Sequence, residues 1–69
     1  MRATLARRFR LTQREIEAVS LLCAGASNSD IAETMGVRLA TVKTHIVNIL
    51  NKLGVDNRSA VVGLALSLR

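Results

Sequence analysis

The tightest constraint on this chain is the punctuation of its apolar pattern. Gly25, Gly36 and Gly54 each follow a segment whose apolar residues recur at helical spacing. A glycine so placed closes a helix, because it takes the left-handed backbone of a helix end without a Cβ clash. Residues that cap helix N-termini stand ahead of three segments: Thr12, Ser27, and either Asp56 or Asn57. No proline occurs, and no stretch alternates apolar with polar residues as a half-buried strand would. The pattern dictates an all-α fold, a four-helix bundle with short connections.

Thr12-Gln13-Arg14-Glu15 is a capping box. The Thr12 hydroxyl accepts from the Glu15 N–H, and the Glu15 carboxylate reaches back to the N–H of Thr12. Ile16, Val19, Ser20 and Cys23 share one face of the first helix, with Leu22 at its flank. Ser27 caps the second helix, Asp30 lies near the positive end of its dipole, and Ile31 and Met35 are its buried residues. The third helix runs from about Leu39 to Leu53. At about 100° per residue, Val42, Ile46, Ile49, Leu50 and Leu53 fall on the core side. Opposite them lie Ala40, Thr44, Val47 and Asn51, flanked by Lys43 and Asn48. The fourth helix turns Val61, Val62 and Ala65 to the core. Residues 1–10 show no clear period and no cap, so they read as a basic lead-in or linker. Residues 11–69 form the domain.

Composition narrows the function. A chain of 69 residues is one small domain and leaves no room for a cleft between two lobes. Ten Lys or Arg against five acids give a net charge of +5, which calls for a polyanionic partner. The single aromatic, Phe9, excludes modules that stack the bases of single strands. Cys23 alone makes neither an internal disulfide nor a zinc site, and its place on the apolar stripe makes it core. His45 has no second ligand. No metal, cofactor or small-molecule ligand is expected, and no paired catalytic groups support an enzyme. The longest apolar run, Ala60 to Leu66, is too short to span a bilayer, so no membrane partner is expected and the cytoplasm is the expected compartment.

Gly36-Val37-Arg38 joins the second and third helices. A short helix, a tight glycine-containing turn and a longer helix make a helix-turn-helix. An α-helix fits the major groove when its outward residues are small or polar. No Asp or Glu lies between Glu33 and Asp56, so the outward face of the third helix is free of acids. Ser27 and Asn28 stand beside free backbone N–H groups at the second helix's start, a natural phosphate contact. Thr41, Asn48 and Lys52 follow one edge of the third helix, placed to grip the flanking DNA backbone.

Four blocks carry a family resemblance: Leu11-Thr12-Gln13-Arg14-Glu15, Gly25-Ala26-Ser27-Asn28-Ser29-Asp30-Ile31-Ala32, Thr41-Val42-Lys43-Thr44-His45-Ile46 and Asn48-Ile49-Leu50-Asn51-Lys52-Leu53-Gly54-Val55. In this order and spacing they resemble the LuxR-type (GerE-like) helix-turn-helix family, over roughly residues 11–66. The resemblance implies a bacterial transcription regulator that binds double-stranded DNA as a dimer, in many members as the output domain of a response regulator. It implies base contacts from Lys43, Thr44 and Val47, and phosphate contacts from Ser27, Asn28, Thr41, Asn48 and Lys52. Two positions depart from the family pattern. Val47 stands where relatives often carry a long polar or basic residue, so its base contact is apolar, for example to a thymine methyl. Arg38 stands where an N-cap such as Ser is usual.

On the fourth helix, the side away from the core carries Ala60, Gly63, Leu64 and Ser67. A solvated face would normally carry charge. Small residues with one leucine suit close packing against a second copy, as in the dimers of the resembled family. RNA polymerase is a further candidate partner. Two rivals remain. Region 4 of a sigma factor shares the first three helices, but Lys52-Leu53-Gly54-Val55 followed by an apolar fourth helix argues against it. A basic module for an acidic protein partner predicts weak, sequence-blind DNA binding.

Overall fold

A computed structural model describes the backbone of residues 2–68 and the side chains of residues 6–68. Its elements are five helices: α1 (Arg2–Phe9), α2 (Gln13–Cys23), α3 (Asn28–Met35), α4 (Leu39–Leu53) and α5 (Arg58–Ser67). The four helices expected from the sequence are α2 to α5. The additional helix, α1, replaces the irregular lead-in expected over residues 1–10, of which Met1 lies outside the described residues. Arg7 and Arg8 in its last turn face the negative end of the helix dipole, and Ala6 and Phe9 pack against the core. The Arg8 guanidinium lies 5.5 Å from the centroid of the Phe9 ring. Arg10 stops the helix in a left-handed conformation (φ 56°).

The capping box of α2 forms as expected. The Glu15 N–H donates to Thr12 Oγ1 at 3.1 Å, and the Thr12 N–H donates to Glu15 Oε1 at 2.8 Å. The buried face of α2 differs in detail: Glu15, Ile16, Ala18, Val19 and Leu22 are buried, while Ser20 and Cys23 are half-buried. Leu22 is thus central and Cys23 marginal, because α2 is covered on several sides by its neighbours. A second reciprocal box opens α3, where the Asp30 N–H donates to Ser27 Oγ and the Ser27 N–H to Asp30 Oδ2, both at 3.1 Å. The α3 helix closes at Gly36 (φ 67°), with the Val37 N–H donating to the Ala32 carbonyl at 3.0 Å. Asn57, not Asp56, caps α5; its Oδ1 accepts from the Ala60 N–H at 2.8 Å.

The largest fully buried side chains are Val19, Ile31, Val42, Ile49 and Val61. Together they draw on α2, α3, α4 and α5, so one core joins all four. Burying each such side chain contributes about 1.5–3 kcal/mol. Two polar side chains of α2 then tie the helix-turn-helix to that core. Arg14 donates to the Met35 carbonyl at the end of α3 (3.0 Å), and Glu15 accepts from Lys52 near the end of α4 (2.7 Å). Among the described residues, no buried side-chain polar atom lacks a partner and no helix is long and apolar enough to cross a membrane.

Candidate nucleic-acid interface

Because Val42, Ile49 and Leu53 anchor α4 in the core, the opposite face of the helix is turned outward. Thr41, Lys43, Thr44, Val47, Asn48 and Asn51 are all exposed there. Val47 keeps 54% of its surface open, the most exposed large apolar side chain described. The Thr44 hydroxyl donates back to the Ala40 carbonyl at 3.1 Å. That bond spends the proton and leaves the Thr44 oxygen as an acceptor beside its methyl group. Lys43 makes no ion pair among the described residues. Arg38 precedes α4 with no side-chain cap; the Thr41 N–H bonds the Arg38 carbonyl at 3.0 Å, and the N–H groups of Leu39 and Ala40 have no side-chain acceptor.

At the start of α3, Ser27 is exposed and Asn28 half-buried. The Ser27 oxygen accepts from the Asp30 N–H. Hydrogen bonds from the Ser27 backbone and then its side chain hold the Asp30 carboxyl below its ordinary value.

Lys52 is placed differently from the other expected contacts. Its ammonium donates to Glu15 Oε1 at 2.7 Å and to the Arg10 carbonyl at 3.3 Å. The side chain is 35% exposed, and one ammonium donor is left for any outside group. Burial pushes the Glu15 carboxyl up, but Lys52 and the Thr12 N–H outweigh it and hold the group below the ordinary glutamate value.

One residue at this end was not legible beforehand. Arg58, the first residue of α5, donates through Nη1 to Asn28 Oδ1 and through Nη2 to the Ala26 carbonyl (2.7 Å). These partners stand 30 and 32 positions away, and no local spacing announces them.

On α5, Gly63 and Ser67 are exposed and Ala60 half-buried. The Ser67 hydroxyl donates to the Leu64 carbonyl at 2.8 Å. Leu64 is half-buried and packs against the core, so the open leucine of this helix is Leu66, at 45% exposure. A Cβ built on Gly63 would meet nothing within 4 Å.

The sequence matches the family described as "Bacterial regulatory proteins, luxR family" over residues 10–65. The chain belongs to that family. It is a luxR-type helix-turn-helix domain, and the family is one of DNA-binding transcription regulators, not of enzymes. Similar proteins include the "Transcriptional regulatory protein LiaR" of Bacillus subtilis, 47% identical over 49 residues, which are 71% of this chain and 23% of that protein. The "Response regulator protein VraR" of Staphylococcus aureus is 46% identical over 52 residues, which are 75% of this chain and 25% of that protein. This luxR-type chain therefore spans about a quarter of the length of these relatives.

Proposed function

We propose that this luxR-type domain binds double-stranded DNA sequence-specifically, with α4 in the major groove, and that two copies pair through α5. The observation that carries the reading is the outward face of α4, exposed from Thr41 to Asn51 and free of acids. Lys43, Thr44 and Val47 then read bases. Lys43 donates to guanine, the Thr44 oxygen accepts from an amino group, and Val47 packs on a thymine methyl. Ser27, Asn28, Thr41 and Asn48 hold phosphates on either side. Lys52 adds a phosphate contact through its one remaining ammonium donor.

Pairing through Ala60, Gly63, Leu64 and Ser67 is supported by the open surroundings of Gly63. Glycine inside a helix costs about 1 kcal/mol against alanine, and nothing in its own chain requires it there. Close approach of a second helix would require it. A two-fold pair sets the DNA half-sites about one turn apart. On this reading the domain is the DNA-binding output of a bacterial transcription regulator, working in the cytoplasm with RNA polymerase as a further partner.

The test is a titration of the domain against promoter and scrambled duplexes at several salt concentrations. Affinity should depend on sequence and fall steeply with salt. Lys43→Ala should cost about 1–3 kcal/mol on the preferred duplex. Equal affinity for every duplex would sink the specificity claim.

A further inference from the structure

We infer that Arg58 is a positioning residue for DNA recognition, holding the Asn28 amide so that its N–H donors face a phosphate. The inference rests on the proposed DNA-binding reading of Asn28. An asparagine amide has one accepting end and one donating end. With Oδ1 taken by the Arg58 guanidinium, the donating end is turned away from α5. The second arm of the guanidinium fixes the Ala26 carbonyl, so the segment entering α3 is held at two points by one rigid fork.

The requirements of α5 itself do not explain this arginine. A cation in the first turn of a helix sits at the unfavourable end of the dipole. Arg58 occupies that place in α5 and has no carboxylate partner among the described residues. Its partners lie instead on the segment that opens α3, where both arms of the guanidinium are engaged. The helix proposed to pair two copies thus also sets a contact on the DNA side.

The test compares the 69-residue chain with Asn28→Ala, Arg58→Ala, Arg58→Lys and the Asn28→Ala/Arg58→Ala double variant. It reads affinity for the preferred duplex, thermal melting, and the NMR signals of the Asn28 side-chain amide without DNA. Each single variant should weaken binding about tenfold, the scale of one hydrogen bond to a charged group. The double variant should be no weaker than either single one. Lysine should not rescue, because one ammonium cannot reproduce the two-pronged contact. In both Arg58 variants the Asn28 amide signals should move to the positions of a free side chain. Wild-type affinity in Arg58→Ala, additive losses in the double variant, or full rescue by lysine would each overturn the inference. If Arg58→Ala loses helix content, Arg58→Lys and the amide signals decide. Lys43→Ala separates the two readings. If it weakens binding while the Arg58 variants do not, only the role of Arg58 falls; if no duplex is preferred and Lys43→Ala is silent, the DNA reading falls and this inference with it.

Discussion

Glu15 is a carboxylate with 3% of its surface exposed, at the point where three parts of the chain meet. One oxygen accepts from the Thr12 N–H and from the Lys52 ammonium. A buried charge is tolerated only when paired and hydrogen-bonded, and both conditions hold here. The same contacts set its response to acid. The folded-state pKa lies below the unfolded one, so the ionised carboxylate stabilises the fold fully above the unfolded value, about 4.3. That contribution is lost as pH falls from there through the lowered folded value. Glu15→Gln should cost about 1–2 kcal/mol near neutral pH, given the partial exposure of Lys52. The gap between parent and variant in thermal melts should then close towards pH 3. Asp30, also lowered, keeps some acid sensitivity in both proteins, so the gap rather than the slope is the measure. A gap that stays constant from pH 7 to pH 3 would show that the Glu15 charge is not what stabilises the junction.

At the scale of elements, α4 is the helix whose two ends are treated most differently. Gly54 closes it in the left-handed conformation, while Arg38 leaves its first N–H groups without a side-chain acceptor. Arg38→Ser should supply that acceptor and stabilise the fold by about 1 kcal/mol, raising the melting midpoint by roughly 4–8 °C. If Arg38 also touches phosphate, the same change should lower DNA affinity, so stability and binding would move in opposite directions. An unchanged midpoint would mean that water already satisfies the end of the helix. Such end effects are what the sequence made legible. The Thr12–Glu15 box, the Gly36 and Gly54 stops and the core stripe of α4 depend on residues within a turn or two of each other. The outward face of α4 followed as the complement of that stripe. The remainder depended on distance along the chain. Helix α1 has no cap to announce it; it lies against α2 and packs Ala6 and Phe9 on the core. The bond from Lys52 to Glu15 spans 37 positions, and it gave an internal use to a side chain expected at phosphate alone. The choice between Asp56 and Asn57 as cap rested on backbone geometry that both residue types can adopt.

At the scale of the whole molecule, a small core limits what α5 can contribute alone. Val61 and Ala65 are fully buried, but Gly63, Leu66 and Ser67 lie open on the same helix. Small chains bury a smaller fraction of their surface than large ones, so pairing is one way to recover stability. Leu64 is a poor place to test this, because it packs against the core and a charge there would disturb the monomer as well. Gly63 is a better one, since a Cβ there meets nothing of its own chain within 4 Å. Gly63→Gln should stabilise the isolated monomer by about 0.5–1 kcal/mol, because it removes the helix-interior cost of glycine. In the proposed pair the same side chain stands where two helices must approach closely. Melts at low concentration should therefore show a higher midpoint than the parent, while sedimentation at high concentration should show a weaker dimer. Affinity for a duplex with two half-sites should drop towards that for a single half-site, and affinity for the single half-site should hold. If the variant is more stable yet sediments with the same mass as the parent at every concentration, the pairing surface lies elsewhere on the molecule.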